Sequence, residues 1–219
     1  MIPDRRAFAG AGAKLVPSEE QRRPTNLPAA PPPLRCIELQ PTDAPVLQAF
    51  FEANPTYFES TGGQPPQPGE ALAEINDRPP AGMPHGRVWA LGFVDAREQL
   101  VAMAGVVENL IAAGVWHIGL FIVATERHGK GDAQQLHAAI LAWARAHGAQ
   151  WMRLGVVAGN ARAQAFWRRC GYVELREREG IAMGRLVQSV RVMVKPLAHR
   201  SVEHYLERVE RDRPGSTLP

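Results

Sequence analysis

Ile118-Gly-Leu-Phe-Ile-Val123, then Ala124-Thr-Glu-Arg127, then His128-Gly-Lys-Gly-Asp-Ala133, is the stretch on which the fold turns. The first part is an apolar, β-branched run that predicts a strand. The last part is a glycine-rich turn feeding a helix predicted over 130–147, with Leu136, Ile140, Trp143 and His147 on one stripe and Gly148 at its stop. Gly129 and Gly131 allow a tight bend whose N–H groups converge, and the helix N-terminus adds its own unsatisfied donors and positive dipole end. Such a turn suits a pyrophosphate. It is not a P-loop, because the GxxxxGK[ST] spacing is absent. It is not a dinucleotide fingerprint either, because Gln134 stands at the third glycine and no βαβ unit begins there.

Working outward, residues 34–39 read as a first strand and Thr42 or Asp43 as the cap of a helix that ends at Asn54-Pro55. Residues 54–86 are rich in proline and glycine, with one short helix expected at 70–76 and a long functional or mobile loop around it. Three strand-like runs follow at 88–95, 100–108 and 115–123, separated by short turns, and imply an antiparallel meander. After the helix come a strand at 151–157, a helix at 161–169, strands at 172–178 and 186–195, and an amphipathic helix at 199–211. This order gives an α+β fold. No internal repeat is visible.

Composition narrows the class. The chain has 219 residues, 45% of them hydrophobic, a formal charge of +3 and two cysteines. That suffices to bury a core, offers no disulfide framework, and favours a reducing, cytoplasmic setting. No apolar run reaches the roughly 20 residues a bilayer requires. Residues 1–33, proline-rich and closing on Pro31-Pro32-Pro33, read as a disordered tail holding much of the surplus charge. The division expected is a tail at 1–33, one domain at 34–197, and a terminal helix and tail at 198–219. The near-neutral remainder argues against a nucleic-acid surface. The seven histidines are scattered without HExxH spacing, so no metal site is expected.

Asn160-Ala-Arg-Ala-Gln-Ala-Phe-Trp-Arg-Arg-Cys-Gly-Tyr172 supplies a second pattern. With the first, it resembles the two signatures of the GNAT acetyltransferase superfamily, [QR]-x-x-G-x-[GA] after a strand and N-x-x-A-x-x-[FL]-[YF]-x-x-x-G-[FY]. The resemblance covers roughly 34–196. It implies a mixed, mostly antiparallel central sheet with a splayed strand pair and flanking helices. It also implies acetyl-CoA as co-substrate, its pantetheine arm lying along Phe121, Ile122 and Val123. The pyrophosphate would lie on His128, Gly129, Lys130, Gly131, Asp132 and Ala133, and Asn160 would face the arm, with Phe166 and Trp167 near the thioester.

Two positions depart from the pattern. His128 stands at the usual Gln/Arg position. Trp167 stands where many members carry a tyrosine acting as general acid, and an indole N–H is no substitute for a phenol. Water or the departing ammonium product would then protonate the thiolate. An amine also needs a base before it can attack, since its conjugate acid has a pKa of about 10.4. His117 is one candidate. Strict period-two alternation puts it on one face with Gly119 and Phe121, and its ordinary pKa of about 6.5 suits the task. Glu108, ending the third strand, is the other. The resemblance also implies that a backbone N–H near Gly119 or Leu120 would meet the oxyanion.

The function implied is an N-acetyltransferase acting on a primary amine, with a small molecule as the expected acceptor. Tyr57, Phe58, Glu59, Glu70 and Glu74 stand ready in the long loop to meet it. The alternative is a catalytically weak acyl-CoA-binding sensor. The last helix and final strand offer a homodimer contact.

Overall fold

The computed structural model describes residues 26–218. Residues 1–25 of the expected tail lie outside that range. Its remainder, 26–33, is packed: Pro28 is buried, Leu27 and Ala30 touch the core, and the Trp143 indole donates to the Asn26 carbonyl. The folded unit thus already includes Asn26, ahead of the Leu34 boundary expected.

Seven strands form one sheet in the order β1-β2-β3-β4-β5-β7-β6. They are β1 (Arg35–Glu38), β2 (Val88–Val94), β3 (Leu100–Val107), β4 (Val115–Val123), β5 (Trp151–Val157), β6 (Val173–Met183) and β7 (Leu186–Pro196). Every neighbouring pair is antiparallel except β4 with β5. This is the mixed, mostly antiparallel α+β sheet expected. β6 runs five residues beyond its predicted end. Charged residues there had disguised a strand that projects as a hairpin with β7 and turns at Gly184 (φ +57°).

Helices α1 (Ala44–Ala53), α2 (Thr56–Gly62) and α3 (Glu70–Asn76) pack on one face, where Leu47, Phe51, Phe58 and Ile75 meet Met103, Leu120 and Ile122. Helix α2 falls inside the segment expected to be loop. Pro55 before it and Gly62-Gly63 at its end hide a short helix of about two turns, which is fixed by the Phe58 ring 4.7 Å from Phe51. Helices α4 (Asp132–Ala146) and α5 (Ala161–Arg169) cover the other face. There α4 buries Leu136, Ile140 and Trp143, and Trp143 stacks edge-on to Trp89 and Trp116 at 5.2 and 5.0 Å. Fully burying one such aliphatic side chain is worth about 1.5–3 kcal/mol.

The predicted last helix is shorter, α6 (Val202–Arg208), followed by a 3-10 turn at Glu210–Asp212. It is docked rather than peripheral. Tyr205 and Val209 pack on Trp151 and Val194, and Asp212 is buried beneath. Among the described residues no helix is long and apolar enough to cross a membrane.

Candidate active site

Strands β4 and β5 begin as partners and then part. Their register runs from Val115↔Trp151 to Ile118↔Leu154, after which residues 119–123 and 155–157 do not pair with each other. On the other edge of β4, Gly105 faces Leu120 and Val106 faces Ile118, so Gly119 is an extra, bulged residue at the point of parting. A bulge at this point bends the strand and re-aims the side chains on either side of it.

The bulge overturns the expected alternation. Trp116 and Ile118 lie in the core beneath α4 and α5, and beyond Gly119 it is Phe121 and Val123 that do so, while Leu120 and Ile122 face α1–α3. His117 and Phe121 are therefore on opposite faces, because one inserted residue reverses every later position.

Two cavities flank this bulge. The larger, about 870 Å³, opens along Phe121, Ile122 and Val123 and is closed by Gly129, Gly131 and Ala133 on one side and by Asn160, Phe166 and Trp167 on the other. His128 lines it too, and its Nε2 lies 2.8 Å from the Val123 carbonyl, tying the turn to the strand end. Phe121, Phe166 and Trp167 form one aromatic wall, with centroids 4.8–6.4 Å apart. The N–H groups of residues 129–133 have no acceptor among the described residues. Gly129 and Gly131 sit at φ +77° and +88°, and little stands where a side chain on either would point. A run of orphaned donors at the start of a helix of 15 residues is what a doubly charged phosphate linkage requires.

Lys130 and Asp132 do not line the cavity. Lys130 is exposed, and Asp132 is held 2.8 Å from Arg127. Only their main-chain N–H groups serve the turn. The Asn160 Oδ1 is occupied in capping α5, accepting from Ala163 N at 2.9 Å, which leaves its Nδ2 to face the cavity.

The second cavity, about 400 Å³, lies on the α3 side of the bulge and is lined by Gly105, His117, Gly119 and Glu74, with Arg153, Arg178 and Arg211 beyond. Neither base candidate keeps the character its sequence suggested. His117 Nδ1 is 3.4 Å from Arg153 Nη1, and burial together with that guanidinium pushes its pKa down to about 3. Glu108 lines neither cavity and accepts from the Trp89 indole at 2.7 Å.

Glu74 has the properties both lack. It lines the cavity, and a Cβ added at Gly105, which pairs with Leu120 at the bulge, would stand 3.1 Å from its Oε1. Burial first, then the charges of Asp77 and Glu70, push its pKa up to about 7. The spacing of α3 named Glu74 only as a contact for the acceptor's charge. Its basicity comes from packing against β3, which no local pattern encodes.

Of the other loop residues expected at the acceptor, Tyr57 lines the larger cavity, Phe58 is core, Glu59 is exposed, and Glu70 lies 3.3 Å from Gln67 N. Burial, then Glu74 and Glu70, raise the Tyr57 pKa and keep its hydroxyl protonated. Tyr172 and Tyr205 line neither cavity. The first lies 2.9 Å from His137 Nε2, and the second donates to Asp212.

Comparison with known proteins agrees with this geometry. Residues 47–172 match the acetyltransferase (GNAT) family. No curated protein matches the chain. Among solved structures, an acetyltransferase from Thermus thermophilus is 20% identical with a TM-score of 0.59, covering 75% of this chain and 97% of its own. A Salmonella typhimurium acetyl transferase that modifies the N-terminal serine of ribosomal protein L7/L12 is 12% identical with a TM-score of 0.60, covering 75% and 95%. Spermidine N-acetyltransferase from Vibrio cholerae, in complex with CoA and spermine, is 19% identical with a TM-score of 0.57, covering 74% and 95%. These likenesses establish the fold. The family match spans more than half of the chain, from α1 through the parted strands and the orphaned turn to Tyr172, and the protein belongs to the GNAT acetyltransferase family.

Proposed function

We propose that this acetyltransferase takes its acetyl group from acetyl-CoA and passes it to the primary amine of a small molecule by direct attack on the thioester. The observation that carries this reading is the pair of cavities on either side of the Gly119 bulge. One is lined by orphaned N–H donors and an aromatic wall, the other by a carboxylate with raised pKa.

The residues of this chain divide the work. Donors of the 129–133 turn hold the phosphates, and main-chain groups of residues 119–123, left unpaired on the β5 side, hold the arm. Glu74 takes a proton from the acceptor ammonium. The amine nitrogen then bonds to the acetyl carbon as the carbon–sulfur bond breaks, and a main-chain N–H near Gly119 or Leu120 meets the developing oxyanion. The nitrogen's second proton passes to water. Tyr57, the tyrosine on the cavity wall, keeps its hydroxyl proton and donates a hydrogen bond to the departing thiolate, which takes its own proton from water. It supplies the O–H donor that Trp167 lacks. Cys36 and Cys170 are both free, which fits a reducing, cytoplasmic compartment.

Calorimetry with acetyl-CoA, followed by thiol release against a panel of amines, tests the reading. Tight binding with release for at least one small amine is expected. Binding with no release for any amine or peptide would make the chain an acyl-CoA sensor, and no heat with CoA or its acyl derivatives would remove the assignment.

A further inference from the structure

The smaller cavity carries more positive charge than an amine needs. Arg153 is satisfied by Asp212, with Nε–Oδ2 at 2.7 Å and Nη2–Oδ1 at 3.1 Å. Arg178 and Arg211 line the same cavity without a carboxylate partner among the described residues. Among the described residues the buried Arg211 Nε has no hydrogen-bond partner, and the side chain's one polar contact is Nη1 to Met83 Sδ at 3.8 Å. Burial first pushes both guanidinium groups below their ordinary pKa, and nearby cations add to it, Arg211 and Arg153 for Arg178 and Arg153 for Arg211, against the opposing charge of Asp212. Two half-buried guanidinium groups without an ion-pair partner among the described residues, facing one pocket, leave N–H donors that an entering anion can take.

Glu74 lines the same cavity beside Gly105 at the bulge where transfer would occur, and Val107, Leu110 and Ile111 add apolar lining. The cavity therefore offers a carboxylate for a cation, an arginine pair for an anion, and apolar surface as well. A polyamine would place its second cation against those arginines.

We infer that the acceptor is a zwitterionic amine, an amino acid with an apolar or aromatic side chain, whose amine is held at Glu74 and whose carboxylate is bound by Arg178 and Arg211. This rests on the acetyl-transfer reading for the amine's role and goes beyond it in naming the acceptor's anion. Guanidinium forks also fit phosphate, so the test includes a phosphonate.

The experiment is calorimetric titration of the CoA-loaded full chain with matched pairs: phenylalanine and phenethylamine, leucine and isoamylamine, methionine and 3-(methylthio)propylamine. Spermidine and the aminophosphonate analogue of phenylalanine complete the set, and thiol release from acetyl-CoA is measured in parallel. In at least one pair the amino acid should bind about tenfold or more tightly than its decarboxylated partner. Arg178→Gln, a half-buried strand residue with no bonded partner, should bring that ratio close to one, and Arg211→Gln should do the same independently. Equal or weaker binding of every amino acid, preference for spermidine, or a ratio unmoved by both substitutions would overturn the inference. A phosphonate bound about tenfold tighter than phenylalanine would overturn the carboxylate in favour of a phosphate. Carboxylate preference without any thiol release would leave the arginine subsite standing and overturn the transfer reading instead.

Discussion

Arg153 Nη1 lies 3.4 Å from His117 Nδ1, and burial together with this contact works against the histidine as the base. With its pKa pushed down to about 3, His117 is neutral throughout the working range but too weak a base to draw a proton from an ammonium. Glu74, at about 7, is matched to the task. Activity should therefore rise with pH through an inflection near 7, as the carboxylate form accumulates. Glu74→Gln should remove that inflection and lower kcat by about 10²–10⁴-fold. His117→Ala should keep the inflection in place. A pH–rate profile that flattens in the His117 variant, and not in the Glu74 variant, would reverse the assignment.

Replacing Tyr57 by Phe should lower kcat by about 10²-fold as the hydrogen bond to the leaving thiolate is lost. An acetyl thioester of a more acidic thiol needs no such hydrogen bond. The variant should recover most of its rate on that substrate, and an equal deficit on both thioesters would assign Tyr57 to packing.

Gly131→Glu tests the phosphate turn. The site has room for a side chain but a backbone at φ +88°, so strain and charge act together. A carboxylate about 4 Å from one phosphate charge costs about 4 kcal/mol at an effective dielectric of 20, several hundredfold in affinity. Calorimetry with CoA reads this directly. An affinity within a few fold of the parent would move the phosphate elsewhere.

The elements that could be read from the sequence are those whose signal is local. α3, β4, β5 and α5 begin and end where their periodicity and flanking turns put them, and the orphaned turn is written in Gly129 and Gly131. What escaped the reading is long-range. The Gly119 bulge arises because β3 and β4 differ by one residue in register, and nothing in either strand alone shows it. Glu74 owes the largest part of its basicity to burial near Gly105, 31 positions on, with its neighbours Asp77 and Glu70 adding to it, and His117 loses its own to burial and to Arg153, 36 positions on. Glu108 resembles a free strand-end acid until Trp89, on the neighbouring strand, takes its oxygen.

Asp212 shows how the chain's end is tied to the site. Burial alone would raise its pKa, but hydrogen bonds and charge from Arg153, with the Tyr205 hydroxyl, outweigh this and hold it below the ordinary carboxylate range. Arg153 is 9% and Asp212 0% exposed, so removing the anion strands a buried guanidinium. Asp212→Asn should cost about 3–5 kcal/mol, lowering Tm by roughly 6–20 °C for a chain of this size. Differential scanning calorimetry measures it, and a shift of only a degree or two would mean that solvent already screens the pair.

Acid should unfold the protein through two histidines. His117 is pushed to about 3 by burial and Arg153, and His137 to about 4 by burial and Lys195. Their unfolded values lie near 6.5. The folded-state values being the lower, both histidines contribute stability that is complete above pH 6.5. Below it the unfolded chain takes up protons that the folded chain refuses. Stability should decline from pH 6.5 toward 4 with an uptake approaching two protons on unfolding, part of it offset by Glu74, which favours the folded state over this range because its pKa is raised. His137→Gln, which keeps a polar group beside the Tyr172 hydroxyl, should remove close to one proton from that slope in urea unfolding at pH 5–6, whereas an unchanged slope would show that His137 titrates in the folded state.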